Sequence, residues 1–172
     1  MIRKALEEDV AAVGRIYEKI LAREAAGLCT TGWLPGVYPV EATARAAWEK
    51  GELFVWEEEG KTLAAAILNQ TQPDSYTKGD WSRSALPEEV MVLHTLVVDP
   101  EEKGRGIGRR FVAFYERYAG EHGCTVLRMD TNARNQQARA LYRSLGYREA
   151  GIVPCVFNGI PNVELVLLEK KV

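Results

Sequence analysis

The run Lys103-Gly104-Arg105-Gly106-Ile107-Gly108 alternates glycine with basic and apolar residues, and Arg109 and Arg110 follow at once. Without a Cβ, glycine lets the main chain turn sharply and come close to a ligand. The residues that follow have helical spacing. A helix start offers several unpaired N–H groups pointing outward together, at the positive end of the helix dipole. Lys103, Arg105, Arg109 and Arg110 add full charges around that mouth. The chemistry matched to this pattern is the binding of a phosphorylated ligand; a plain glycine-rich turn with solvated charges is the competing reading. No Lys-Ser or Lys-Thr follows the glycines, as a P-loop requires. A dinucleotide fingerprint starting at Gly104 and Gly106 would put Arg109 where a glycine normally lets helix and strand pack closely.

Such a loop needs a strand before it and a helix after it. Residues 90–98, VMVLHTLVV, are almost continuously apolar and β-branched, the pattern of a strand covered on both faces. Beyond the loop, Ile107, Phe111, Phe114, Tyr115 and Tyr118 form one helical stripe. A short strand over 125–129 follows, then a helix with Ala138, Leu141, Tyr142 and Leu145 inward, which Gly146 is placed to end. Strands over about 147–157 and 162–169 flank the turn NGIP. Upstream, the pattern predicts a strand at 2–4, a helix carrying Val10, Val13, Ile16, Tyr17, Ile20 and Leu21, a second helix over about 40–50, and a hairpin of strands 53–56 and 63–68. Segments 27–39 and 73–87 are irregular but hold aromatics. Alternating strands and helices in the second half imply an α/β sheet with a parallel crossover.

The bulk properties narrow the classes. At 172 residues, with 47% hydrophobic and 27% charged content, the chain suits one soluble globular domain. A formal net charge of −2 gives no global basic field toward nucleic acid or an anionic membrane. No apolar run approaches the roughly 20 residues that span a bilayer, and the first residues lack a signal-peptide core. Cys29, Cys124 and Cys155 are widely spaced and read as reduced thiols of a cytoplasmic protein. With only two histidines, no metal site is expected.

Residues 96–108, LVVDPEEKGRGIG, resemble the cofactor-loop motif of the GNAT-type N-acetyltransferases, [QR]-x-x-G-x-[GA] after an L-x-V strand end. Lys103, Gly106 and Gly108 fill its defined positions. Lys103 departs from Gln or Arg, a mild change because the expected contact is through main-chain N–H. Asn135, Ala138, Leu141, Tyr142, Leu145, Gly146 and Tyr147 fill every defined position of the family's second signature, N-x-x-A-x-x-[LF]-Y-x-x-[LM]-G-[FY]. The resemblance covers nearly the whole chain. It implies one domain over 1–172 with an α/β fold: a mixed, mostly antiparallel sheet of about seven strands, split between two of them, with about four helices. It also implies acetyl-coenzyme A as acetyl donor and no metal. The pyrophosphate would rest on the amides of Lys103, Gly104, Arg105, Gly106, Ile107 and Gly108, with Arg109 beside them. The pantetheine arm would lie along Leu96, Val97 and Val98 and near Asn135 and Ala138, and the Val98 N–H would polarise the acetyl carbonyl.

Acetyl transfer to an amine needs a proton acceptor for the amine and a proton donor for the departing thiolate. Like the equivalent family tyrosine, Tyr142 is expected as general acid; a core aromatic is its other reading. His94, the only polar ring in its strand, is the expected base or substrate contact. By strand parity it shares a face with Leu96 and Val98 unless a bulge intervenes; a hydrogen-bonded sheet histidine is the alternative. Glu89 is a second base candidate, acting through water. Trp33, Tyr38 and Trp81, in the irregular segments, are expected substrate walls or packing anchors. The expected acceptor is a small-molecule amine or a peptide N-terminus. Dimers are common in the family, so a homodimer is one open state. A non-catalytic coenzyme A-binding module on the same fold is the rival function.

Overall fold

The structure is a computed structural model that describes residues 1–82 and 84–172. Its elements run β1 (Ile2–Lys4), α1 (Glu7–Ala25), α2 (Glu41–Glu49), β2 (Leu53–Glu58), β3 (Lys61–Asn69), β4 (Val90–Val98), α3 (Ile107–Glu121), β5 (Val126–Asn132), α4 (Gln136–Ser144), β6 (Arg148–Phe157) and β7 (Ile160–Lys171). Single 3₁₀ turns at Asp74–Lys78, Pro87–Glu89 and Pro100–Glu102 punctuate the connections. The strands form one seven-stranded sheet in the order β1-β2-β3-β4-β5-β7-β6. Among the described residues only β4 and β5 run parallel, and α3 makes the crossover between them. The mixed, mostly antiparallel sheet with four helices is the expected architecture.

Side-chain parity explains the layering. Met91 and Leu93 of β4, with Leu127 and Met129 of β5, face α3 and pack against Phe111 and Tyr115. On the opposite face, α1 and α2 set Val10, Val13, Tyr17 and Ala44 onto Val55, Ala65 and Ile67. A third cluster joins Val90 and Val92 to the β6–β7 hairpin and to Tyr76. Burying each Val, Leu, Ile, Phe or Met side chain among these stabilises the fold by about 1.5–3 kcal/mol, which fixes the strand registers that shape the centre of the sheet.

Two departures from sequence expectation matter. First, β5 runs three residues past the predicted end at Met129: Asp130, Thr131 and Asn132 continue the ladder with Leu167, Val166 and Leu165 of β7. Their polarity hides the strand, because its pairing partner lies far along the chain. Second, a bulge does intervene in β4. Ala65 faces Val97 and Ile67 faces His94, so Ala66 alone spans Thr95 and Leu96. Thr95 sits at φ 51°. The extra residue reverses side-chain parity. Leu96 and Val98 therefore pack on the α3 side, while His94 lines a chamber away from it. The expected shared face is lost to the bulge.

Candidate active site

The site begins where the sheet opens. β4 and β5 pair from Val90 with Val126 to Leu93 with Met129, and no further. Their outer edges stay paired, β4 with β3 as far as Val98 and β5 with β7 as far as Asn132. The inner edge of β4 beyond Leu93 thus faces a wedge instead of a neighbouring strand. Backbone N–H and C=O groups along such an edge are strong, unspent hydrogen-bonding partners.

The glycine loop lies at the wide end of the wedge. Asp99 closes β4, accepts a hydrogen bond from the Glu101 N–H at 3.0 Å, and is only 3% exposed. Lys19 of α1 pairs with it at 2.8 Å, tying the loop's base to that helix. Gly106 stands just before α3 at φ 71°, a left-handed conformation that a side chain would strain. A Cβ at Gly104 or Gly106 would meet no atom within 4 Å, so both face open space. The cleft in front of them measures about 500 Å³ and is bordered by Val98, Lys103, Ile107, Gly108 and Arg109, with Leu141 of α4 opposite.

The cations divide. Lys103 and Arg109 border the cleft. Arg105 does not border the cleft: it bridges Glu102 at 2.5 Å and Glu58 at 2.6 Å, so its charge goes to the Pro100–Glu102 turn and the β2–β3 hairpin. Arg110 covers the Trp56 ring at 5.7 Å, and Arg139 forks onto Glu149 with both contacts at 2.9 Å. Asn135 caps α4, its side chain accepting from the Ala138 N–H at 3.1 Å.

Across the wedge lies a second chamber of about 830 Å³, bordered by Tyr38, His94, Thr95, Asp130 and Cys155. Thr95 and Asp130 also border a small cavity with Trp33, Leu96, Asn135, Ala138 and Tyr142, whose lining shares Thr31 with the first cleft. The structure therefore brings Tyr38, His94 and Tyr142 to the two sides of one opening. It does not bring Glu89 there. That carboxylate accepts from the Leu86 N–H at 2.8 Å, at the opposite end of β4 from the glycine loop. Trp81 stands behind the chamber: its indole N–H donates to the Tyr76 carbonyl at 2.7 Å, and Arg128 covers its ring at 4.1 Å. Trp33 meets the Tyr38 ring edge-on at 6.1 Å.

The electrostatics separate the candidates. His94 Nε2 contacts Asn69 Oδ1 at 2.9 Å. The Asn69 amide is fixed from both ends, Oδ1 accepting from the Thr71 N–H at 3.0 Å and Nδ2 donating to Glu52 at 2.9 Å. An oxygen acceptor there makes Nε2 the protonated nitrogen. Burial pushes His94 down to about 4, so the ring is neutral and weakly basic. Asp130, which sequence reasoning missed, behaves oppositely. Burial pushes its carboxyl up to about 6, against the opposing effect of the Tyr76 hydroxyl that donates to it at 2.7 Å. Tyr142 is buried with Asp130 nearby; both raise its phenol above the ordinary range and keep it protonated. The one signal for Asp130 in the sequence is a lone acid after the apolar run of β5. Replacing Tyr76 by Phe removes a donor to the ionised carboxyl, so the Asp130 pKa should rise above about 6, readable by carbonyl NMR titration. No rise would mean that the hydroxyl does not hold the carboxylate.

Comparison with known proteins follows the same lines. The sequence profile of the acetyltransferase (GNAT) family matches residues 21–147. The uncharacterised N-acetyltransferase YhfO of Bacillus subtilis is 27% identical over 152 residues, 86% of this chain and 89% of its own. The [ribosomal protein bS18]-alanine N-acetyltransferase of Escherichia coli is 30% identical over 123 residues, 69% of this chain and 77% of that protein. Among solved structures, a GNAT-family acetyltransferase from Streptococcus agalactiae superposes with a TM-score of 0.82 at 20% identity, covering 100% of this chain and 95% of that one. A Salmonella typhimurium protein solved with its cofactor acetyl-coenzyme A gives 0.71 at 21% identity, covering 99% and 92%.

Proposed function

The chain belongs to the acetyltransferase (GNAT) family, and we propose that it transfers an acetyl group from acetyl-coenzyme A to a primary amine by direct attack in a ternary complex. One observation carries this reading: Asp130 and Tyr142 flank a wedge with an unspent strand edge, a glycine-loop cleft on one side and a second chamber on the other.

The residues present fit the donor. The open space in front of Gly104 and Gly106 and the cations Lys103 and Arg109 suit a pyrophosphate, and the free edge of Leu96, Val97 and Val98 suits an amide-bearing arm. Acetyl-coenzyme A supplies the activated thioester carbonyl. The β4 main chain holds the donor in line and offers an N–H to the carbonyl oxygen. Asp130, ionised above about pH 6, accepts the proton of the attacking amine. Tyr142, protonated at neutral pH, gives its proton to the sulfur as the C–S bond breaks, and regains one as Asp130 releases the proton taken from the amine. Burial pushes the two groups in opposite directions, His94 down and Asp130 up, so the carboxylate is the stronger base. His94, held by Asn69 and Glu52, forms part of the acceptor wall.

The chamber admits a small-molecule amine or a peptide N-terminus. The Escherichia coli relative, named for an alanine of a ribosomal protein, supports including peptides. We read residues 1–172 as one such domain, working in the cytoplasm. All three cysteines are free thiols, and among the described residues no helix is long and apolar enough to cross a membrane.

A screen of amines, amino acids and peptides with acetyl-coenzyme A, followed by released thiol, tests the activity. Turnover of at least one class is expected. With that acceptor, Tyr142→Phe should lower kcat by about 10²-fold, the lower range for a lost general acid, and leave acetyl-coenzyme A affinity within about twofold. Unchanged kcat under conditions where chemistry limits the rate would assign Tyr142 to packing. Coenzyme A binding with no turnover of any amine would make the protein a binding module.

A further inference from the structure

Thr95 holds an unusual backbone. Among the described residues, four non-glycine residues lie at positive φ: Glu59, Thr95, Asn158 and Asn162. Glu59 and Asn158 occupy hairpin turns, and asparagine tolerates the left-handed region. Thr95 is β-branched and sits inside a strand, at φ 51°, where such a residue is costly. The surrounding structure must enforce it. Its hydroxyl is hydrogen-bonded to the Tyr38 hydroxyl, across 57 residues of sequence. The Tyr38 ring is in turn gripped edge-on by Phe157 at 5.3 Å and Trp33 at 6.1 Å, and its main-chain N–H donates to the Leu34 carbonyl at 3.1 Å. Two segments distant from β4, residues 33–38 and the end of β6, thus converge on the side chain that holds this bulged residue.

We infer that Tyr38 is a positioning residue: its hydroxyl locks Thr95 in the left-handed bulge and so sets the angle at which the free edge of β4 enters the wedge. The inference rests on the acetyl-transfer reading only for its effect on rate. Released from Tyr38, Thr95 relaxes toward the extended region, the Ala65–Val97 and Ile67–His94 pairs lose their offset, and the strand edge beyond it turns. Tyr38 acts through Thr95, so acceptor binding is not its main effect.

Substitutions at Thr95 separate this lock from a wall or a reactive hydroxyl. Thr95→Val keeps the strain and removes the bond. Thr95→Gly removes the strain and the bond together, while Thr95→Ser retains the bond. Tyr38→Phe and Thr95→Val should each lower kcat by about tenfold, the size of one net neutral hydrogen bond, with acceptor KM within about twofold. Thr95→Gly and Thr95→Ser should stay within about threefold of the parent, and Tyr38→Phe should cost nothing further in the Thr95→Gly background. A second arm needs no substrate: the coupling between the amide and Cα protons of residue 95 reads φ directly by NMR. It should report left-handed φ in the parent and in Thr95→Ser, and an average with extended backbone in Tyr38→Phe. The inference fails if residue 95 keeps its φ in Tyr38→Phe. It fails also if Thr95→Gly loses as much activity as Thr95→Val, or if Tyr38→Phe raises acceptor KM at constant kcat. Absence of any turnover would refute the acetyl-transfer reading, whereas the coupling would still decide the lock.

Discussion

Asp130→Asn should lower kcat by about 10²–10³-fold at pH 7.5, the range of a lost general base, with acetyl-coenzyme A affinity within about twofold. The amide still accepts the hydrogen bond from Tyr76, so the chamber keeps its shape. The parent enzyme should show an acidic limb in kcat/KM near pH 6, where the carboxyl takes up a proton and ceases to act as a base. The variant should lose that limb. Stability moves the other way. Folding raises this pKa from 3.8 to about 6, so the folded protein binds the proton more tightly than the unfolded chain. The favourable contribution is complete below pH 4 and is lost as pH rises through 6. Asp130→Asn removes the buried charge, and should therefore melt higher than the parent at pH 8. A variant that keeps a third of the parent's turnover, with the limb intact, would place the base elsewhere, with His94 Nδ1 the next group to test.

Gly106→Trp should weaken acetyl-coenzyme A binding by about 10²-fold or more. The substitution adds two penalties, a left-handed φ of 71° that an L side chain strains and an indole in the space before the loop amides. Gly106→Asn separates them, since asparagine tolerates the left-handed region and projects much less. Its affinity should fall between those of the parent and Gly106→Trp. Calorimetry reads both, and circular dichroism checks that the fold persists. Unchanged affinity in a folded Gly106→Trp would remove the loop from the donor site.

What the sequence disclosed was what is local. The glycine loop and the Asn135–Tyr147 signature each lie within about a dozen residues, and both flank the wedge. The limits of β4 matched its apolar run residue for residue. What it withheld depends on partners far along the chain. Asp130 was hidden because a polar strand end is supported only by β7. The Thr95 bulge carries no glycine to announce it, and its stabilising contact comes from Tyr38. Which arginines face the cleft is decided by Glu58, Glu102 and Glu149, whose positions a helical pattern does not reveal. Parity arguments are sound within an unbroken strand and reverse at one extra residue, as His94 and Leu96 show.

The wedge between β4 and β5 also bears on how such a chain can change over generations. Its two sides draw on different stretches of sequence. The proposed donor side draws mainly on the stretch from β4 to α4, joined by Ile20, Arg23, Leu28, Cys29 and Thr31 of α1 and the segment after it, whereas the outer wall of the proposed acceptor chamber comes from the α1–α2 connection, the Asp74–Lys78 turn and the end of β6. Exposed wall residues such as Lys50, Lys78, Val156 and Asn158 can be exchanged without disturbing the donor block, so new acceptors are within reach of a few surface substitutions. Among the wall residues outside the sheet Tyr38 is the exception, since its hydroxyl is hydrogen-bonded to Thr95 of β4, the strand proposed to hold the donor. Diversification of this scaffold should run freely around the rim and stall at that one ring.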